Sequence, residues 1–149
     1  MGNYETEEIG VKENLQDIIG VSDIYVPVSD VYESVKWYEK NLGCKLRKGD
    51  KLEPGMGMAI MVFTPEVTWR VPVLFLHQSD EEGGRLGFNW TLDGGKRHAV
   101  ACLVTPRIQE LFERFKKNGV NIIGEIRQTC GPNLLFSDPD GNLWEIWQP

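Results

Sequence analysis

The chain has 149 residues, of which 41% are hydrophobic and 26% are charged, a balance typical of one soluble globular domain and not of a disordered or fibrous chain. Sixteen Lys and Arg against 22 Asp and Glu give a net charge of -6, which repels a phosphate backbone and excludes nucleic acid as a partner. No stretch approaches the roughly 20 apolar residues that span a bilayer, and the acidic N-terminus is unlike a signal peptide, so we expect no membrane partner and a cytoplasmic location.

The first half of the chain begins with a polar stretch, residues 1–20, which we predict to be an N-terminal extension. A strand is predicted over 21–28, because Ile24, Val26 and Val28 alternate with residues of a different character. A helix follows, since Asp30 can cap its first turn and Gly43 can adopt the left-handed conformation that ends it. Three further strands are predicted at 44–51, 57–63 and 71–77.

The second half of the chain repeats this order. A strand is predicted over 98–104, followed by a helix with Thr105 as its cap and Pro106 in its first helical position, ending at Gly119. Three strands then follow around 121–126, 133–137 and 143–148. Because the two caps are 75 residues apart and the two terminal glycines 76, the pattern indicates an internal duplication.

The duplication defines the expected fold class. We predict an α+β fold in which two tandem βαβββ modules form an open, barrel-like sheet around a central cavity. The domain is expected to span residues 21–148, with module one at 21–78, an exposed crossover at 79–97 and module two at 98–148.

Ligand-type side chains fall at related places in the two modules. Shifting Asp23 by 75 residues gives His98, and both lie at the start of a strand on the face opposite the helix. On the last strand, Glu145 has apolar neighbours, and an acid in such surroundings is costly unless it is paired or acts as a ligand. In module one either Phe75 or His77 corresponds to Glu145, which makes His77 a fourth candidate.

Each of these residues also has a simpler interpretation. His98 can bond a backbone carbonyl, Glu145 can form a salt bridge with Arg127 or Arg97, and Asp23 can accept bonds from nearby backbone N–H groups. These alternatives stay open from the sequence alone.

Aromatic residues on the same faces are candidates for the wall of a substrate cavity. We assign Tyr25, Phe75 and Trp147 to this wall. Cys102 lies on the predicted face of His98 and joins the same set, although it is most simply a small buried apolar residue.

Two segments resemble the signatures of a known superfamily. Residues 28–43 read VSDVYESVKWYEKNLG and resemble its opening signature, a strand followed by D-x-x-x-S-x-x-[FW]-Y-x-x-x-L-G. Residues 136–145 read FSDPDGNLWE and are similar to its closing signature. The chain thus resembles the vicinal-oxygen-chelate superfamily of glyoxalases, bleomycin-resistance proteins and extradiol dioxygenases over about residues 21–148.

The resemblance implies a divalent metal held by the first strand of each module and by the last strand. His98 and Glu145 match the family's His and Glu ligands, whereas Asp23 stands where the family has His or Gln; His77 would be a fourth ligand. The metal is Zn, Fe, Mn, Ni or Co, or none is bound, and Glu145 is the candidate catalytic residue.

Three functions follow from the resemblance. The first is a glyoxalase-like lyase or isomerase that polarises a small oxygenated substrate with a metal and transfers a proton. The second is a binding or sequestering protein that holds a flat small molecule without metal, and the third is an iron-dependent dioxygenase. The resemblance also implies a homodimer.

Overall fold

The computed structural model describes residues 17–65 and 70–149. In the first half, one helix and four strands follow in the order β1 (Asp23–Val28), α1 (Val31–Leu42), β2 (Lys45–Leu46), β3 (Met58–Val62) and β4 (Val73–Gln78). The Asp30 carboxylate accepts a hydrogen bond from the Glu33 backbone N–H at 3.0 Å, and Gly43 ends the helix at φ 77°. Both helix signals predicted from the sequence are therefore present.

The second half contains a helix and four strands in the same order. These are β7 (Cys102–Val104), α2 (Ile108–Asn118), β8 (Asn121–Gln128), β9 (Pro132–Ser137) and β10 (Leu143–Trp147). Between the halves, β5 (Phe88–Trp90) and β6 (Lys96–His98) form a small antiparallel hairpin whose connection includes a 3₁₀ turn at Thr91–Asp93. Part of the expected exposed crossover is thus an ordered hairpin.

Three details differ from the sequence prediction. The strand predicted over 44–51 is only two residues long, Lys45–Leu46. The predicted strand over 98–104 is divided, because His98 ends β6 and the chain re-enters a sheet only at Cys102. Helix α2 begins at Ile108 and not at Pro106, since the Thr105 hydroxyl bonds the Arg107 N–H two residues on and turns the chain first. The Ile108 N–H is instead satisfied by the side chain of Gln148, at 2.8 Å.

The strands form two separate four-stranded sheets. Sheet one has the order β1-β4-β3-β2 and sheet two the order β7-β10-β9-β8, so the two sheets have the same topology. In each, the first and last strands pair in parallel and the remaining neighbours are antiparallel. The α+β class with open sheets is confirmed, and neither sheet closes into a barrel. The residue boundaries of the modules and of the N-terminal extension remain a prediction.

One apolar core joins the two sheets and both helices. Alternate residues of each strand point into it, as the period of two in a strand requires. From the first half the core takes Val26, Val28, Val31, Val35, Tyr38, Ala59, Met61, Leu74 and Leu76; from the second it takes Ile108, Leu111, Phe115, Leu134, Phe136, Trp144 and Ile146. Each sheet therefore turns one face to this core and the other face away from it.

A buried polar network crosses the core between the two halves. The Tyr38 hydroxyl on α1 donates to the Asp138 carboxylate at 2.6 Å and accepts a bond from the Trp144 indole N–H at 2.9 Å. The Asn142 amide donates to the same carboxylate and to the Pro27 carbonyl of β1, both at 2.8 Å. The closing-signature turn is thereby fixed against the first half of the chain.

Among the described residues, no helix is long and apolar enough to cross a membrane.

Candidate functional site

The candidate site residues lie on the faces of the two sheets that point away from the core. On sheet two, Glu145 lies at the middle of β10 between the buried residues Trp144 and Ile146 and on the opposite face from them. On sheet one, Tyr25 and Phe75 lie on the face opposite to the core residues of their strands. We call these surfaces the outer face of sheet one and the outer face of sheet two.

His98 and Glu145 are brought together on the outer face of sheet two. The His98 Nε2 atom lies 3.3 Å from the Glu145 Oε2 atom, although the two residues are far apart in sequence. The other ring nitrogen, Nδ1, lies 2.9 Å from the Ala99 carbonyl oxygen. His98 therefore contacts a backbone carbonyl, as one interpretation of the sequence proposed, and the same ring also contacts the Glu145 carboxylate.

Arg127 on β8 is the third member of this cluster. Its Nη2 atom donates to the same Glu145 Oε2 atom at 3.3 Å. Of the two basic partners proposed for Glu145, the structure therefore shows Arg127; the Arg97 side chain bonds Asn89 instead, at 3.3 Å. A single carboxylate oxygen faces both a guanidinium and an imidazole.

A cleft of about 390 Å³ opens over the cluster. The β5–β6 hairpin forms one side of it with Trp90 and Leu92, and the Trp90 ring contacts the His98 ring edge-to-face with 4.9 Å between centroids. The polar part of the lining consists of Asp93 from the hairpin connection and of Thr129 and Asn133 from the β8–β9 region. The cleft therefore combines one aromatic and aliphatic wall with a charged floor, the usual character of a small-molecule site.

A larger cavity of about 470 Å³ lies elsewhere, between the end of α1 and the start of α2. Its lining includes Arg107 and Arg114 but no His, Asp or Glu. Because it lacks an acid–base pair, we place the candidate site in the smaller cleft.

Cys102 is the partner of Glu145 in the parallel pairing of β7 with β10. Desolvation, reinforced by the hydrogen bond and the negative charge of Glu145, raises the pKa of the Cys102 thiol to about 12. The thiolate is the reactive and metal-binding form of cysteine, so Cys102 remains a neutral thiol at physiological pH. Cys102 is exposed, so the interpretation as a small buried apolar residue is wrong, and its role in the cavity wall remains a prediction.

Asp23 and His77 lie on sheet one and are not brought to the His98–Glu145 pair. Asp23 accepts a hydrogen bond from the hydroxyl of its neighbour Ser22. The His77 ring stacks on Phe75 with centroids 4.4 Å apart and contacts Tyr25 at 5.2 Å, and its Nε2 atom is buried without a partner among the described residues. Tyr25, Phe75 and His77 thus form an aromatic cluster on the outer face of sheet one.

Trp147, the remaining predicted wall residue, lies two positions after Glu145 on the same strand. Its indole N–H donates to the Cys130 carbonyl at 2.6 Å, which fixes the ring against the turn between β8 and β9. Trp147 is not among the residues that line the cleft.

The register of the sheets indicates which residue of sheet one corresponds to Glu145. The helix N-caps, at positions 30 and 107, are 77 residues apart. Tyr25 pairs with Phe75 in sheet one, and Cys102 pairs with Glu145 in sheet two. A shift of 77 residues places Tyr25 on Cys102, so the strand partners of these two residues, Phe75 and Glu145, correspond as well. Glu145 therefore has an aromatic and not a charged counterpart in the first half.

A resident metal needs more donors than this cluster supplies. Three protein ligands are usual for a catalytic ion, and within residues 17–65 and 70–149 no group of three or more His, Cys, Asp or Glu is placed to hold one. The guanidinium of Arg127 also lies 3.3 Å from one oxygen of the Glu145 carboxylate, where its positive charge opposes the binding of a second cation. The described residues of one chain therefore do not fit a metal centre.

Comparison with known families agrees with this architecture. The family model of the Glyoxalase/Bleomycin resistance protein/Dioxygenase superfamily matches residues 20–146. The chain belongs to this superfamily. No match was found among curated proteins.

Several solved structures share the fold of this chain. TnmS3, an antibiotic binding protein from Streptomyces sp. CB03234, is 24% identical with a TM-score of 0.63, covering 91% of this chain and 99% of that one. A superfamily member from Sphaerobacter thermophilus is 22% identical with a TM-score of 0.62, covering 89% and 98%. The fosfomycin resistance protein FosX from Listeria monocytogenes, solved with Mn(II), is 17% identical with a TM-score of 0.60, covering 88% and 92%. These similarities establish the fold alone.

Three residues that line the cleft are not among the site residues predicted from the sequence: Trp90, Leu92 and Asn133. Trp90 and Leu92 reach the cleft only because residues 88–98 form a hairpin that folds over β10, and no strand signal marked this segment. The position of Asn133 depends on the pairing of β8 with β9, which shifts register between Ile123 and Arg127. A single sequence carries no pattern for such a shift.

Proposed function

We propose that the chain is a small-molecule binding protein that holds a flat, oxygenated ligand in the cleft over His98, Glu145 and Arg127, without a resident metal. The observation that carries this proposal is the Arg127–Glu145 contact at 3.3 Å beneath the Trp90 wall. A guanidinium already pairs with the Glu145 carboxylate, so this carboxylate needs no metal cation to neutralise it.

Each wall of the cleft has a defined task in this proposal. Trp90 and Leu92 cover an apolar ligand face, and an aromatic ring on Trp90 adds stacking to the area that is buried. Glu145 accepts a hydrogen bond from a ligand hydroxyl, and the N–H groups of Arg127 donate to a ligand oxygen. This combination of an apolar wall with a few polar groups suits binding and orientation.

Intrinsic fluorescence tests the proposal. Saturable quenching by a flat aromatic compound, unchanged by a chelator such as EDTA, is the expected result. Quenching that EDTA abolishes, and that Mn(II), Fe(II), Co(II), Ni(II) or Zn(II) restores, would contradict the binding function and favour a metal centre. For substitutions of Trp90, the Phe63→Ala variant is a matched control. Phe63 is 41% exposed, close to the 38% of Trp90, and lies outside the cleft.

A second candidate is the metal-dependent lyase or isomerase. One observation favours it: the His98 Nδ1 atom lies next to a backbone carbonyl, as one ring nitrogen does in many metal-ligating histidines. The other ring nitrogen, Nε2, then points toward Glu145. Among residues 17–65 and 70–149 no third donor joins the pair, and this candidate takes its third donor from a second copy of the chain. The outer face of sheet one carries Asp23 and is rich in exposed apolar side chains, with Tyr25 63% and Met58 56% exposed.

This alternative predicts a homodimer that contains metal. Light scattering would give twice the chain mass of 17.0 kDa, and elemental analysis of unsupplemented protein would find a stoichiometric transition metal that the Asp23→Asn variant loses. A metal-free protein eliminates this candidate. The iron-dependent dioxygenase further requires iron in particular and consumption of oxygen with the substrate.

A further inference from the structure

Arg127 has most of its hydrogen-bonding capacity unused. A guanidinium carries five N–H donors, and the structure gives Arg127 one bond, from Nη2 to Glu145. Its Nε atom is buried and without a partner among the described residues. The side chain is nevertheless 39% exposed, so the exposed area belongs to its other atoms, which face the cleft.

The backbone places Arg127 at this position through an irregularity. Strand β8 shifts register against β9 between Ile123, which pairs with Leu135, and Arg127, which pairs with Asn133. Gly124 lies within the shift at φ 79°, a conformation that glycine adopts without strain. Such bulges are common next to functional sites, and here the shift places Arg127 opposite Asn133.

The charges around the cleft determine what kind of oxygen fits. Two carboxylates, Glu145 and Asp93, line it together with one guanidinium, and His98 adds an imidazole. An anionic ligand would meet more negative than fixed positive charge, whereas a neutral carbonyl oxygen accepts from Arg127 without this repulsion. A hydrogen-bond acceptor with no net charge is therefore the better complement.

We propose that Arg127 is the specificity-determining residue of the cleft and selects neutral, planar ligands that present a carbonyl oxygen to its free N–H groups. This proposal rests on the proposed function, because it names the ligand class of the same cleft. Leaving a buried donor unpaired is costly, so an isosteric ligand without the oxygen binds less tightly.

Three compounds with the same ring system isolate this contribution. Calorimetric titration of the full chain with 2-acetylnaphthalene, 2-ethylnaphthalene and 2-naphthoate compares a neutral carbonyl, an apolar isostere and an anion. We expect the ketone to bind about tenfold more tightly than the ethyl compound and more tightly than the carboxylate. In Arg127→Met the preference for the ketone over the ethyl compound should disappear, while Arg107→Met should retain it.

The outcomes separate the two proposals. If none of the three compounds binds, the proposed function fails and the inference fails with it. If all three bind with equal affinity, or if Arg127→Met keeps the preference for the ketone, the cleft is a binding site but Arg127 does not select its ligand. Tighter binding of the carboxylate than of the ketone overturns the preference for a neutral oxygen. Thermal unfolding of each variant verifies that it is folded.

Discussion

Replacing Tyr38 by phenylalanine is expected to lower the free energy of unfolding by about 2–4 kcal/mol. The hydroxyl is buried and bonds two groups from the second half of the chain: it donates to Asp138 at 2.6 Å and accepts from Trp144 at 2.9 Å. Its removal leaves the Trp144 N–H without its acceptor and takes one donor from a buried carboxylate. Urea unfolding followed by circular dichroism measures the change.

Tyr32→Phe is the matched control for this substitution. Tyr32 lies on the same helix but is only partly buried, and we expect its loss of a hydroxyl to change stability by less than about 0.5 kcal/mol. Equal effects of the two substitutions would show that the Tyr38 network does not hold the two halves together.

The Tyr38 variant should also change how stability depends on pH. Burial raises the pKa of Asp138, and the hydrogen bonds from Tyr38 and Asn142 oppose this rise. A carboxyl with a raised folded-state pKa contributes stability that is present below its ordinary value of 3.8 and lost as pH rises through the folded pKa. Because Tyr38→Phe removes one opposing bond, we expect the variant to lose more stability than the wild type as pH rises from 3.8 through the folded-state pKa of Asp138. Unfolding at successive pH values measures this loss.

Replacing Trp90 by alanine is expected to weaken ligand binding about 30-fold or more. The ring forms the aromatic wall of the cleft and contacts His98 edge-to-face at 4.9 Å. Truncation of such an aromatic anchor commonly costs about 2 kcal/mol, which corresponds to about 30-fold in affinity. Calorimetric titration with 2-acetylnaphthalene measures the change.

Phe63→Ala again provides the comparison for Trp90→Ala. Phe63 has a similar exposed fraction but lines the larger cavity near the helix ends, so its truncation should leave affinity within about twofold. If Trp90→Ala binds as tightly as the wild type, or if Phe63→Ala weakens binding equally, the ligand does not lie under the β5–β6 hairpin.

Much of the fold could be predicted because local signals agreed with each other. The cap at Asp30 and the glycine at position 43 define α1, and the alternation of Val26 and Val28 with Tyr25 identifies the buried face of β1. The start of α2 could not be located from Thr105 alone, because its N-terminal donor is satisfied by Gln148, forty residues along the chain. A distant partner leaves no mark in the local pattern.

The site was predictable only where the repeat and the signatures pointed to single residues. His98 and Glu145 do meet, at 3.3 Å. The duplication also suggested that Asp23 joins them, but it relates positions on two sheets and does not specify how those sheets pack. Since both sheets turn their buried faces to one core, their outer faces point away from it, and Asp23 stays apart from the pair within one chain.

The most direct test of the ligand site is ¹⁹F NMR of the protein labelled with 5-fluorotryptophan. The five labelled positions are Trp37, Trp69, Trp90, Trp144 and Trp147, and the Trp90 resonance is assigned from the spectrum of Trp90→Phe. On titration with 2-acetylnaphthalene, we predict a saturable shift of the Trp90 resonance while that of the fully buried Trp144 stays in place. A Trp90 resonance that does not move when calorimetry shows binding would contradict the account, because the ligand would then lie outside the cleft over His98, Glu145 and Arg127.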